Sequence, residues 1–258
     1  MLLTLNNLMG TKLDARDDTL GKVKDFYFDD HSWVVRYLVA DTGDWLPGRQ
    51  VLISTESFEA PQGEQDAIPV SLTREQIESS PPIHADRPVS REREAEMIGH
   101  YNWPMYWTHL GVPAVGMMPV GVAPESIKEE KTPLNASDIR EVETTLRSVR
   151  EVTGYHILAK DGELGHVEGL IADPADWRIR YLLVDTRNWL PGRKVLIAPD
   201  WAGGILWSQK QVQIDLPTDK IRSAPEYDPD QPITREYERS LFDHYGMRHY
   251  WEGASAVQ

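Results

Sequence analysis

No cysteine occurs anywhere in the 258 residues. That absence excludes disulfides, thiolate nucleophiles and cysteine-ligated zinc or iron–sulfur sites, and it fits a reducing cytoplasm. No run of about 18 apolar residues is present, so nothing has the pattern of a membrane-spanning helix. The opening MLLTLNNLMGTKL has no basic start and no continuous apolar core, the two marks of a secretory signal. Basic residues are in deficit as well: 27 Lys and Arg stand against 41 Asp and Glu, a formal charge of −14. Binding a nucleic-acid backbone needs basic patches that displace counterions from phosphates, so nucleic acid is not an expected partner. The remaining composition, 40% hydrophobic and 26% charged, is that of an ordinary soluble globular protein, and these absences together lead to the expectation of a cytoplasmic one.

What is present is one stretch used twice. Residues 33–54 read WVVRYLVADTGDWLPGRQVLIS and residues 177–198 read WRIRYLLVDTRNWLPGRKVLIA. Between 20–54 and 164–198 there are 18 identities in 35 positions at a constant offset of 144 and without a gap. The offset persists downstream, where Leu72 meets Leu216, His100-Tyr101 meets His244-Tyr245, and Tyr106-Trp107 meets Tyr250-Trp251. A period this long in two copies predicts tandem domains related by duplication, not a solenoid. The expected division is 1–107 for the first copy, 108–144 for a linker, and 145–258 for the second.

Within each copy, short β-branched and aromatic runs separated by Asp-Asp, Asp-Pro and Pro-Gly turns predict strands. Roughly six strands in about 75 residues predict a small closed barrel, because closure removes exposed edges. Gly21 and Gly165 mark places needing positive φ or close backbone approach. Thr73 to Gln76 has capping-box spacing, and Ser90 and Thr234 suit helix N-caps. Met97, Ile98 and Tyr101, matched by Leu241, Phe242 and Tyr245, give each following helix one apolar stripe. Pro and Gly interrupt residues 108–134, and Asn135–Arg150 reads as a helix with Ile139, Val142 and Leu146 on one face.

The pattern Leu-Gly-x-Val, Trp-x-x-Arg-Tyr-Leu and Asp-Thr-x-x-Trp-Leu-Pro-Gly-Arg-x-Val-Leu-Ile resembles the PRC-barrel family. The resemblance covers roughly residues 8–83 and 152–227, and is nearest to bacterial proteins with two tandem barrels. It implies a mainly β fold, two tandem small PRC-type β-barrels with short flanking helices and a pseudo-twofold. It also implies protein-contact modules with no shared catalytic site. The barrel is also found in the cytoplasmic part of the photosynthetic reaction-centre H subunit, whose N-terminal membrane helix has no counterpart here.

The repeated Trp33, Arg36, Tyr37, Asp41, Trp45, Gly48 and Arg49, with Trp177, Arg180, Tyr181, Asp185, Trp189, Gly192 and Arg193, form a structural signature. In it Asp and Thr bond the turn, Trp covers the barrel end, and Arg pairs with a carboxylate. An anion site built from each Asp–Arg pair is the competing reading. No Gly-x-Ser-x-Gly elbow or Gly-rich phosphate loop occurs, and His244 and His249 lack ligand spacing. No enzyme, cofactor or metal is therefore expected. The aromatic tails carry Trp103, Tyr106 and Trp107 in one copy and Tyr250 and Trp251 in the other. With Met117 and Met118 of the linker, they are the candidate contact residues. The expectation is a non-catalytic interaction or scaffold protein, with a protein partner or a second copy, and barrels held together by exchanged tails. The alternative is a small-ligand-binding protein or enzyme using the cleft between barrels.

Overall fold

The computed structural model describes residues 1–43, 46, 49–59, 67–81, 89–107, 145–186 and 193–252. The first set of elements is β1 (Leu3–Thr4), a 3-10 turn (Leu5–Leu8), β2 (Lys12–Asp14), β3 (Thr19–Asp29), β4 (Val34–Asp41), β5 (Gln50–Ser54), β6 (Ala67–Pro69), α1 (Arg74–Glu78) and α2 (Arg91–Tyr101). The second is β7 (Leu146–Ser148), α3 (Val149–Val152), β8 (His156–Ala159), β9 (Gly162–Ala172), β10 (Ile179–Asp185), β11 (Lys194–Ile197), β12 (Ala202–Leu206), β13 (Gln211–Ile214), α4 (Thr218–Arg222) and α5 (Arg235–Tyr245).

The protein is mainly β, in two mixed sheets. One has the order β5-β4-β3-β2-β6 with β7 added to β3, and the other β11-β10-β9-β8-β13-β12 with β1 added to β9. Neighbours run antiparallel except β2–β6 and β8–β13, which are parallel. Among the described residues no ladder joins the outermost strands of either sheet. The repeated hairpin forms as the alternation predicts: Tyr37 faces Ser54 and Ala40 faces Val51, while Leu182 faces Ile197 and Val184 faces Val195. Register shifts in the β3–β4 and β9–β10 ladders break the pairing regularity, as bulges do when they bend a strand and raise its twist.

The two glycines near the starts of the long strands β3 and β9 have a steric reason. Gly21 lies at φ +136 and Gly165 at φ +62, and a Cβ there would stand 2.0 and 1.9 Å from the carbonyl oxygens of Asp41 and Asp185. The capping box at Thr73 is complete, and Ser90 and Thr234 accept hydrogen bonds from Arg93 N and Tyr237 N. Met97, Ile98, Leu241, Phe242 and Tyr245 are buried; Met97 packs with Tyr37, Val39 and Leu52 of its own copy, and Phe242 meets Tyr181 and Trp201 of its own.

One expectation fails. Of the stretch 135–150 the described residues begin at 145, where Leu146–Ser148 is strand β7 and Val149–Val152 is helix; Ile139 and Val142 lie outside the described residues. The helical spacing of Leu146 is overridden because β3 offers unpaired backbone groups there, which β7 satisfies from Tyr27 to Asp29. One continuous apolar core, including Leu5, Phe26, Phe28, Val149, Ile171 and Leu182, draws on both copies.

Gly21→Ala and Gly165→Ala are each expected to lower stability in denaturant unfolding by at least about 2 kcal/mol, since backbone must move. Gly10→Ala is the comparison: φ is +83 but the space is open, so the loss is limited to about 1–2 kcal/mol of backbone strain.

Candidate functional site at the joint between the copies

The two signature tryptophans meet. Trp33 and Trp177, one residue before and two before their strands, both hold the left-handed backbone conformation at φ 55, which costs a bulky residue about 1–2 kcal/mol. Each is fixed from both sides. The Trp33 amide donates to Asp29 O (2.8 Å) and its carbonyl accepts from Ile179 N (2.7 Å); the Trp177 amide donates to Asp173 O (2.7 Å) and its carbonyl accepts from Val35 N (2.9 Å). Val34 and Arg178 form an antiparallel bridge between the copies. The Trp177 ring lies over Phe26 and edge-on to Phe58 (4.9 Å between centroids), both from the other copy, and Trp33 stacks on Phe28 at 5.4 Å.

The copies also trade their first segments. Leu3 and Thr4 pair with Ala172 and Ile171 of β9, while Arg147 and Ser148 pair with Phe28 and Tyr27 of β3, the same register shifted by 144. Leu5, Val149 and Val152, which follow, are fully buried. Each chain segment then returns to its own copy, through Gly10 N to Val23 O and Gly154 N to Val167 O.

The two exchanges use different chemistry at one position. Asp25 accepts from Phe26 N (2.8 Å), Arg150 N (3.1 Å) and the Ser148 hydroxyl. Burial raises its carboxyl pKa, partly opposed by those bonds. The equivalent residue is Gly169, and the vacant side-chain position is taken by Asn6 from the other copy: a Cβ on Gly169 would meet Asn6 Oδ1 at 2.8 Å. Asn6 Oδ1 accepts from Leu170 N (3.2 Å) and its amide donates to Thr153 Oγ1 (3.0 Å). A carboxylate on one side is thus replaced by an amide reaching across on the other. Further links on the first side are Arg147 to Asp30 (2.9 Å) and Thr145 Oγ1 to Asp29 (2.9 Å).

Behind each hairpin sits a buried glutamate. Glu94 has no exposed surface and accepts from Tyr106 OH (2.7 Å) and Arg91 (2.9 Å), with Tyr37 as a further partner. Glu238 accepts from Tyr181 OH (2.7 Å), Tyr250 OH (2.9 Å) and Arg235 (2.8 Å). Burial pushes the Glu94 carboxyl from the usual 4.5 up to about 7, against the pull of Arg91 and the tyrosine hydrogen bonds. Burial, then the neighbouring carboxylate, holds Tyr37, Tyr106 and Tyr181 above their ordinary range, so all three remain donors. Arg91 also reaches Thr145 Oγ1 (3.1 Å), tying the Glu94 cluster to the exchanged segment.

The signature residues are therefore committed to internal contacts. Arg36 and Arg180 lie over the Tyr106 and Tyr250 rings at 4.0 and 4.5 Å; Arg36 bonds Ser32 Oγ, and Arg180 bonds Asp173 and Asp176. Asp41 accepts from Gly43 N, Asp185 is buried, and Thr42 and Thr186 bond carbonyls across the turn. Among the described residues, Arg49 and Arg193 bond backbone carbonyls and the Ser80 hydroxyl, not the carboxylates expected. Arg49 donates to the carbonyls of Glu78 and Ser80, and Arg193 to that of Ala224, because helix C-termini leave such acceptors free. Trp45, Gly48, Trp189, Gly192, Met117 and Met118 lie outside the described residues.

Among the described residues, the aromatic tails make no hydrogen bond or ring contact across to the other copy. Trp103 donates to Ser57 Oγ (2.8 Å) and stacks on Tyr101, Trp107 lies against Arg91, and Trp251 against Phe242 and Arg235. Among the described residues, the bonds and ring contacts of these tails are within their own copies, so the tails close their own helices. Glu94 and Glu238 were foreshadowed only by the repeated Arg-x-x-Glu at 91–94 and 235–238. Asn6, Asp25 and Gly169 left no linear sign, since their roles interchange between copies. Among known proteins, no family model and no curated sequence matches the chain.

Asn6→Ala leaves the Leu170 amide without its acceptor and is expected to cost about 1–3 kcal/mol in equilibrium unfolding. Glu94 gives a pH test. Its folded pKa lies above the unfolded one, so its stabilising contribution is complete below about pH 4.5 and is lost as pH rises through about 7. Wild type should lose up to on the order of 3 kcal/mol across that window relative to Glu94→Gln. Parallel pH profiles for the two proteins would contradict the assignment.

Proposed function

We propose that the chain is a cytoplasmic, non-catalytic scaffold built from two PRC-type barrels that arose by tandem duplication. Its role is to hold a protein partner, or a second copy of itself, between two like modules at fixed separation. The observation supporting this is the reciprocal exchange: Leu3–Thr4 on β9 and Leu146–Ser148 on β3, in the same register. An exchange of this kind fixes the relative orientation of the modules, which a tether alone does not, and fixed orientation is what a bivalent contact protein requires. The repeated registers of both sheets and the motif resemblance support the barrel reading. The commitment of the signature arginines and tyrosines to internal partners supports a structural role for them.

Light scattering together with affinity capture from cell extract tests the proposal, using wild type and the Trp33→Ala/Trp177→Ala protein. The scaffold reading expects either self-association or a stoichiometric protein partner, with binding weakened at least about tenfold when fixed orientation is lost. A strictly monomeric wild type that retains no protein would contradict it, as would unchanged retention by the double variant.

A further inference from the structure

Two histidines that lie ten apart in the chain become neighbours on the sheet. In the β8–β9 ladder His156 stands directly opposite His166. The residues beside them, Ile157 and Val167, are fully buried. Strand alternation therefore turns both imidazoles outward, with His156 exposed and His166 half-buried. The His156 amide donates to Lys210 O on the β13 side (3.0 Å). Both polar backbone groups of a strand residue point the same way, so His156 and His166 form a non-hydrogen-bonded pair, the kind whose side chains approach most closely. Their Cβ atoms then stand about 4.5–5.5 Å apart.

The first copy has the same register with other chemistry. Lys12 stands opposite Lys22 in the β2–β3 ladder, at the positions equivalent to 156 and 166. Two ammonium groups offer no lone pair, whereas each neutral imidazole has one ring nitrogen able to act as a ligand. The rings of His31, His100, His244 and His249 hold hydrogen bonds, while those of His156 and His166 hold none among the described residues. Polar side chains nearby are engaged with one another. Gln211, beside His156 on β13, bonds Glu163 (3.4 Å), and Lys194, further along the same row, bonds Glu168.

We propose that His156 and His166 chelate one late first-row divalent metal ion, copper(II) more tightly than nickel(II) or zinc(II). Imidazole suits all three ions, and copper(II) stands highest in the affinity series for nitrogen donors. Two nitrogens bound in adjacent positions at about 2.0–2.1 Å from one ion stand roughly 3 Å apart. Rings carried on Cβ atoms this close reach that spacing by turning about their χ angles. Among the described residues no group of three His, Asp or Glu side chains forms a metal cluster. The ion's other positions are therefore left to water or to an incoming donor. The site is independent of the scaffold reading, which needs no metal.

The test is a titration of the full chain with copper(II), followed by NMR of the histidine ring signals. Substoichiometric copper should broaden His156 and His166 together, ahead of the other six histidines. His156→Lys and His166→Lys each restore the residue of the first copy. Either should weaken copper binding at the remaining histidine at least about tenfold, because a chelate holds its second ligand at high effective concentration. The reverse exchange, Lys12→His with Lys22→His, should add a second copper equivalent in the same register. Copper that leaves His156 and His166 sharp while broadening other rings would overturn the proposal. So would a folded single variant whose remaining histidine responds as in wild type, or a folded Lys12→His/Lys22→His chain that gains no equivalent.

Discussion

Four backbone hydrogen bonds around two strained tryptophans carry the architecture. Trp33 and Trp177 each sit in a conformation that L-residues avoid, and each is held there by a carbonyl of its own turn and an amide of the other copy. Neither turn reaches this geometry without the other. The rings then cover apolar surface on the opposite side, and the exchanged segments β1 and β7 lie on β9 and β3. The strain is local, about 1–2 kcal/mol per residue, and the shared core that depends on it involves fully buried side chains from both copies.

This dependence explains why the largest apolar core draws on both repeats. It also explains why the joint tolerates unlike chemistry on its two sides. Backbone pairing sets the geometry, so side chains at equivalent positions are free to differ as long as each buried polar group finds a partner. Asp25 serves Phe26 N from within its own strand, and Asn6 serves Leu170 N from across the joint. The first exchange is consequently rich in carboxylates, with Asp25, Asp29, Asp30 and the nearby Glu94. At the position equivalent to Asp25 the second relies instead on the neutral amide of Asn6. Burial raises Asp25 and Glu94, while at Asp29 hydrogen bonds from Ser32 and Thr145 outweigh burial and hold its pKa down.

Much of the fold was legible in the chain because local chemistry and tertiary structure agree. Alternating Val, Leu and Tyr gave the hairpin, Gly21 and Gly165 marked the close approaches, and Thr73 with Gln76 formed the capping box they spell. Where they disagreed, reading failed for a physical reason. Leu146 sits at helical spacing with Ile139 and Val142, but the free edge of β3 draws it into a strand. The crowded aromatics of Tyr106-Trp107 and Tyr250-Trp251 suggested a joint, yet a buried glutamate and flanking arginines in their own copy already satisfy them. The actual joint uses Leu3, Thr4, Arg147 and Ser148, which have no distinctive composition.

The exchange itself is the central claim, and cross-strand nuclear Overhauser contacts in the intact chain report on it most directly. The account predicts contacts between Thr4 and Ile171 and between Ser148 and Tyr27, each linking a first segment to the opposite copy. Contacts placing Thr4 on Tyr27 and Ser148 on Ile171 would mean that each copy keeps its own segment, and would contradict it.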